Sequence, residues 1–448
     1  MATTYLNKTL SGSPTNNLKW TWSAWVKKTK NGIIQPLFYA DNGGSANFTK
    51  IQFHDTDSVL AQNYVGSSTY GYKITTPVYR DTNAWYHLVM RYDSANATEN
   101  QRFIIWVNGV DSGTLAMDSN TFPDQNRASI INAGNEHRIG RGNYNVGSNY
   151  FEGIMSHVHF CDGYAYSASD FGSTDSTTGE WKINTAPSVT YGTNGFFILK
   201  DGNSVTDQSG QSNNFTVAAG TLTSTKDCPS NVYCVWNRLV RQTGDMDTVG
   251  NGNTYLATQN DNTWRSAYGT IGFQGTGKFY AEFKCGNLGG TQHLGIVDVD
   301  QQNANNGSKF SDASRAYAYA NNGQKVAAGS QSSYGNSWDS GAYLQIAYNN
   351  GAIWFGKDGT WQNSATISEI NAGTTTNATF TGIDTSKTYT IGWNGYADDM
   401  IELNAGNGWF RTTEVGSPNN PSSGDTGAKF KYTVPTGYQP LSTKGLNE

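Results

Sequence analysis

The stretch LKWTWSAWVKK, residues 18–28, alternates: Trp20, Trp22 and Ala24 fall on one face, and Thr21, Ser23 and Trp25 on the other. A period of two is that of a β-strand, whose successive side chains point to opposite sides. NAWYHLVMRYD (83–93) and QRFIIWVNGVDSGTL (101–115) repeat the pattern, and NYFEGIMSHVHFCDG (149–163) adds a further strand. Within 101–115, Asn108-Gly109 predicts a hairpin, because a two-residue turn needs positive φ, which Asn and Gly adopt at little cost. AYSASDFG (165–172) is the one short helix predicted, with Gly172 closing it. From Ser173 to Trp236 turn residues crowd together around a single strand at 195–200. Trp181, Phe196 and Phe197 make this an ordered connector rather than a floppy linker.

Strand patterning returns in GKFYAEFKCG (277–286), QHLGIVDVD (292–300), SKTYTIGWNGY (386–396) and DMIELNAGNGWF (399–410). Residues 341–364 read as a meander with Asn350-Gly351 and Asp358-Gly359 as its turns. In residues 352–356, Ile353 and Phe355 share one face and Trp354 takes the other; the alternation does not say which face is core. The expected fold is therefore all-β: two antiparallel, jelly-roll-like β-sandwiches joined by an ordered, turn-rich connector. The expected boundaries are 1–172, 173–236 and 237–448.

Composition supports this reading and removes several functions. A chain of 448 residues exceeds one ordinary core. With 51 Gly, 26 Tyr and 13 Trp but 10 Pro and only 15% charged residues, it has the turn formers and aromatics of an all-β protein that folds. The net charge of −5 and scattered basic residues leave no footprint for nucleic acid. The densest basic patch, Lys27-Lys28-x-Lys30, is expected to be a solvated strand end. No apolar run is long enough for a membrane span, so no membrane insertion is expected. The opening MATTYLNKTLSG lacks a basic region followed by an apolar stretch, so no signal peptide is expected. Cys161, Cys228, Cys234 and Cys285 form no Cys-x-x-Cys motif and are expected to be reduced thiols in a protein made in a cytoplasm. A Cys228–Cys234 bridge is the lesser alternative.

Candidate chemistry is sparse. Glycan hydrolysis needs a paired acid and base, and the glutamates at 152, 180, 282 and 369 lie outside the alternating Glu-x-Asp-x-Glu context of sandwich glucanases. No Gly-x-Ser-x-Gly or His-Glu-x-x-His occurs. GFQGTGKF (272–279) spells Gly-x4-Gly-Lys, but Phe279 stands where a phosphate loop needs Ser or Thr, so a turn into a strand is expected. His157-x-His159 puts two imidazoles on one strand face without an evident third metal ligand. Asp207, Ser209, Asn213 and Asn214 form an oxygen-rich loop. Either they surround Ca²⁺, which takes six to eight hard oxygens, or Asp207 closes an Asx turn on its own backbone. Loop aromatics are the remaining signal: Tyr144, Tyr334 and the hairpin residues Asp358 and Trp361 are the candidate glycan contacts, since Tyr and Trp pair a flat apolar face with a polar edge.

Three resemblances follow from these stretches. WTWSAWVKK, AWYHLVMRYD with IIWVNGVD, and RIGR followed by YFEGIMSHVHFCDGYAYSASDF make residues 15–172 resemble the laminin-G/concanavalin A-like lectin superfamily. GKFYAEFKC, LGIVDVD, AIWFGKDGTWQNSA and KFKYTVPTGYQPL make the last part resemble a SPRY domain, with Ser340-Gly341 departing from its usual Gly-Asp turn. The segment YGTNGFFILKDG…VTDQSGQSNNFTVAAG…DCPSNVYCVWNRL is similar to the joining segment of structural proteins of tailed phages, especially marine ones. These resemblances imply a non-catalytic virion protein: a fibre, tail adhesin or head decoration, synthesised in the host cytoplasm. Its implied partners are other virion proteins, host-surface polysaccharide and further copies of itself, a homotrimer foremost. Calcium near the Asp207 loop is implied by the laminin-G likeness. The alternatives are a glycan-degrading enzyme of the concanavalin-like glucanase type and a cellular SPRY-type protein-interaction adaptor.

Overall fold

The structure is a computed structural model and describes residues 3–142, 149–200, 204–241, 248–302 and 309–446. The chain divides into two compact units, 1–224 with 228–230 and 225–227 with 231–448. The segment 173–236, expected as a connector, is thus not a body of its own. Most of it belongs to the first unit, where Phe196–Ile198 pairs with Gly153–Asp162 and Thr216–Ala219 pairs with Tyr5–Thr9.

In the first unit an eight-stranded antiparallel sheet runs in the order Met117–Thr121, Ser68–Thr75, Val59–Val65, Phe48–Phe53, Gln35–Asp41, Glu136–Ile139, Tyr5–Thr9 and Thr216–Ala219. A six-stranded sheet runs Phe196–Ile198, Gly153–Asp162, Lys19–Lys28, Tyr86–Asp93, Phe103–Val107 and Val110–Asp111. Trp20, Trp22, Ala24 and Val26 line the core between the sheets with Leu88, Met90, Ile105 and Phe160. The opposite face of the same strand is also buried. Residues 164–191 lie over it as a strap and form a second apolar cluster with Val89, Ile104, Trp106 and Phe171. The residues read as one helix, 165–172, supply only the 3₁₀ turn Ala168–Asp170, which runs straight into the strand Gly172–Thr174.

Lys27 and Lys28 overturn their expected placement: both are fully buried. Gly153–Asp162 pairs with their strand as far as Lys28, so its end is not a free rim. Lys28 Nζ lies 2.7 Å from Asp57 Oδ1, and Lys27 Nζ sits 5.4 Å from the Trp85 ring centroid. Burial, opposed by Asp57, pushes the Lys28 pKa down.

The second unit is again two antiparallel sheets. One runs Trp236–Arg241, Arg265–Gln274, Thr388–Gly395, His293–Asp298, Ala316–Ala320, Gln324–Ala327 and Ser330–Ser333. The other runs Thr248–Gly250, Tyr255–Ala257, Met400–Asn404, Lys278–Asn287, Tyr343–Asn349, Ala352–Lys357 and Thr360–Trp361, with Gln439–Pro440 adding a parallel pairing to Lys278–Asn287. Both faces of 352–356 are core. Ile353 and Phe355 enter the cluster between the sheets, while Trp354 enters a separate cluster with Trp361, Ile370, Phe430 and Tyr438 beneath the C-terminal segment. The predicted turns form: φ is +47° at Asn108, +41° at Asn350 and +51° at Asp358, each followed by a glycine with positive φ. Two short helices depart from the expectation, Ile367–Ala372 and Thr443–Leu446. Ile367–Ala372 is capped by Thr366 Oγ1, which accepts from the Glu369 N–H at 3.2 Å, and is closed by Gly373 at φ +70°. GFQGTGKF is the turn between the strands Arg265–Gln274 and Lys278–Asn287, as expected. All four cysteines are buried and free.

Candidate functional site

The outer face of the first unit's eight-stranded sheet collects polar and aromatic side chains in transverse rows. Inward-facing Phe38, Ala40, Ile51, Val59 and Ala61 belong to the core. Their alternates therefore face outward. Strand register sets Arg138 opposite Tyr39, Tyr39 opposite Lys50, Lys50 opposite Gln62, and Gln62 opposite Tyr72. A second row runs Glu136, Asp41, Phe48 and Tyr64. One row thus alternates cations, an amide and phenols; the next joins two carboxylates to two stacked rings.

The carboxylates are committed to structure. Arg138 Nη1 donates to Asp41 Oδ2 at 2.8 Å, and Arg138 Nε donates to Glu136 Oε2 at 2.9 Å. Asn7 Nδ2 donates to Glu136 Oε1 at 2.8 Å. Burial works against the Glu136 carboxylate, but the Arg138 guanidinium and the Asn7 amide outweigh it and hold its pKa below the usual value. A Glu136 carboxyl held below its usual pKa is poorly suited to act as the general acid that glycoside hydrolysis requires.

The aromatic side is arranged as a platform. Tyr39 and Phe48 stack at 5.9 Å between centroids, and Phe48 and Tyr64 at 5.0 Å with their planes 23° apart. Tyr39 is buried, whereas Phe48, Tyr64 and Tyr72 keep part of their surface in solvent. Lys50 Nζ sits 5.4 Å from the Phe48 centroid and makes no hydrogen bond or ion pair among the described residues. Burial pushes its pKa down. A half-buried amine beside partly exposed rings offers a donor to a ligand oxygen and an apolar surface to a sugar ring.

The residues singled out in the sequence do not gather at this face or at any other single place. Tyr144 lies outside the described residues. Tyr334 is packed edge-on to Tyr319 at 5.4 Å, and its hydroxyl accepts from Thr379 Oγ1 at 2.6 Å, so it braces the second unit's core. Trp361 is 8% exposed and belongs to the cluster beneath the C-terminal segment, which leaves no ring face for stacking. Asp358 does sit at an exposed hairpin tip, where its carboxylate accepts from the Tyr343 N–H at 2.9 Å.

The Asp207 loop closes on itself. Asp207 Oδ1 accepts from the N–H of Phe197 and of Ser209, and Oδ2 accepts from Ser209 Oγ and the Asn213 N–H, all at 2.8 Å. Asn214 Oδ1 accepts from the Asp207 N–H at 2.8 Å, and Asn213 Nδ2 donates to two backbone carbonyls. Donors ring the carboxylate where a calcium shell would need oxygens to converge, so this set does not fit the ion. His157 and His159 are parted by a bulge, with His157 at φ +49°. His159 instead lies flat on Phe197, with centroids 4.0 Å apart, and pairs with the Tyr191 hydroxyl at 2.9 Å. Among the described residues no three His, Cys, Asp or Glu side chains are grouped to hold a metal ion.

The sheet-face residues were missed because their spacing in sequence is unremarked: Tyr39, Lys50, Gln62 and Tyr72 come from four strands. The usable signal was alternation within each strand, with Phe48-x-Lys50-x-Gln52 and Leu60-x-Gln62-x-Tyr64 opposite apolar partners.

Residues 3–170 match the family described as the concanavalin A-like lectin/glucanases superfamily. The matched stretch lies within the first unit. No protein among the curated sequences matches the chain. Solved structures similar to it include the SPRY domain of human HERC1, at 14% identity over 38% of this chain and 96% of that one, with a TM-score of 0.29. Mouse laminin alpha1 domains LG4-5 align at 8% identity over 89% of this chain and 85% of that one, with a TM-score of 0.28. The Ruminococcus gnavus IT-sialidase CBM40 aligns at 16% identity over 34% of this chain and 80% of that one, with a TM-score of 0.26.

Proposed function

We propose that this chain binds glycan without cleaving it, through the outer face of the first unit's eight-stranded sheet, as a structural protein of a phage virion. The observation that carries the binding is the row of Lys50, Gln62 and Tyr72 beside the Phe48–Tyr64 stack, on a domain matched to a lectin and glucanase superfamily. The non-catalytic reading is supported by Asp41 and Glu136, which both bond to one guanidinium, and by the lowered Glu136 pKa. The virion role is supported by the phage-like joining segment and fits host-surface polysaccharide as the ligand. Many copies of a weak site on one particle reach high avidity without a strong single contact, which suits a trimeric or arrayed protein.

A glycan array probed with the purified chain tests the binding. A Tyr64→Ala/Tyr72→Ala double variant is expected to lose about tenfold or more in affinity for the glycan that the native chain selects. Its melting temperature should stay close to native, because both rings are partly exposed. Equal binding by the two proteins would move the site elsewhere. Mass spectrometry of purified virions from a culture carrying the gene tests the setting, with absence from the particle counting against the virion role.

A further inference from the structure

The second unit has its own outer face, only partly covered by the C-terminal segment. Across it, strand register sets Tyr343 opposite Lys284, Lys284 opposite Glu402, and Glu402 opposite Tyr255. Two exposed cations lie over the ends of this row. The Arg411 guanidinium carbon is 4.3 Å from the Tyr255 centroid, and Lys431 Nζ is 4.7 Å from the Tyr343 centroid. Lys284 Nζ is 5.9 Å from the Tyr343 ring and 3.9 Å from Glu402 Oε2. Neither Arg411 nor Lys431 forms an ion pair with a carboxylate among the described residues.

Two features mark this row as more than a charged surface. Arg411 occupies the tight turn between Trp409–Phe410 and Thr413–Glu414 at φ +50°, a conformation that disfavours a long side chain. The turn nonetheless carries arginine, whose guanidinium is thereby set over Tyr255. Glu402 is 5% exposed, and its Oε2 accepts no hydrogen bond. Burial pushes its pKa up despite Lys284 and Arg411 nearby.

We propose that this row is a separate binding site for an acidic polysaccharide, one whose sugars carry a carboxylate or sulfate. Arg411 and Lys431, at the two ends of the row, each take an anionic group of one polymer; the planar guanidinium matches a carboxylate or sulfate with two parallel N–H donors. Glu402, closed to solvent beneath the row, holds the Lys284 ammonium between the two outer cations. A neutral sugar leaves the two cations unused. The site is independent of the first-unit face, and either can fail without the other.

The test uses the full chain in calorimetric titrations with alginate oligosaccharides, dextran sulfate, neutral dextran and polyglutamate. These are repeated on the Tyr64→Ala/Tyr72→Ala protein, so that only the second unit is read. Alginate or dextran sulfate is expected to bind that protein, with affinity falling as salt rises, while neutral dextran and polyglutamate do not. The preferred polymer identifies the anion as carboxylate or sulfate. Arg411→Gly combined with Lys431→Gln is expected to lower this affinity about tenfold or more. Arg411→Gly alone suits the positive φ, so it should keep or raise the melting temperature while weakening binding, which a purely structural arginine would not do. Unchanged affinity in the double variant overturns the site, as does absence of binding to both anionic polysaccharides. Equal binding of polyglutamate overturns the saccharide assignment in favour of an acidic peptide.

Discussion

Glu282 sits on the sheet beneath the second unit's C-terminal segment and fastens that segment to it. Its carboxylate accepts the N–H groups of Lys431 and Tyr432 at 2.7 and 2.8 Å and the Tyr280 hydroxyl at 2.9 Å. Burial still outweighs these donors and pushes its pKa up from 4.5 to about 7. The fold therefore holds this proton more tightly than the unfolded chain does. The resulting stability is complete below pH 4.5 and is lost as pH rises through about 7. Chemical denaturation at pH 5 and pH 8 should show this group contributing up to about 3 kcal/mol less stability at the higher pH. Glu282→Gln should flatten that slope. Lys73 carries a similar argument with the opposite charge. It is 1% exposed, lies 4.1 Å from the Phe122 centroid, and burial pushes its pKa down from 10.5 to about 8. Here the unfolded chain binds the proton more tightly, so stability should rise between pH 8 and 10.5. Lys73→Met should raise the melting temperature at pH 7 and remove that rise, read by thermal denaturation across the pH range.

At the scale of elements, the strap over the six-stranded sheet depends on one tryptophan. Trp181 Nε1 donates to His87 Nδ1 at 2.9 Å, and His87 Nε2 pairs with Ser23 Oγ at 2.9 Å. Burial holds His87 neutral, with its pKa pushed down to about 3. The Trp181 ring reaches this place only because the hairpin residue beneath it lacks a side chain. A Cβ on Gly109 would fall 2.5 Å from the ring, and φ there is +80°. Gly109→Ala is therefore expected to destabilise the first unit by about 2 kcal/mol or more, measured by urea denaturation. Trp361 gives the matching test in the second unit. Trp361→Ala should cost about 3–5 kcal/mol, as for other buried tryptophans. In contrast to Tyr64→Ala, it should leave the intrinsic glycan affinity of the folded fraction unchanged. The hairpins themselves were legible from Asn-Gly and Asp-Gly, because a tight turn is a local demand on φ. What packs against a turn is not local, and nothing in the 108–109 dipeptide announces Trp181. The helix Ile367–Ala372 was legible in principle from Thr366-x-x-Glu369, but six residues are too few to show a hydrophobic period.

At the scale of the molecule, each apolar cluster lies wholly within one unit. A fragment comprising residues 1–224 should accordingly fold alone and melt cooperatively with a β-type circular dichroism spectrum. A fragment ending at residue 172 should fail to do so, because it omits Phe196–Ile198, Thr216–Ala219 and most of the strap. The sequence by itself determined the class of fold, the antiparallel strands and their tight turns, since alternation and positive-φ residues act over a few positions. Tertiary structure alone decided that both faces of several strands are buried, that Lys27 and Lys28 are interior, and that Asp207 spends its oxygens on its own loop. It also decided which side chains form the two proposed binding faces. Lys50, Gln62 and Tyr72 in one unit come side by side, and Arg411 and Lys431 in the other come to lie over one row, only through strand register and loop placement. Register is set by long-range pairing and core packing, which no local window of residues contains.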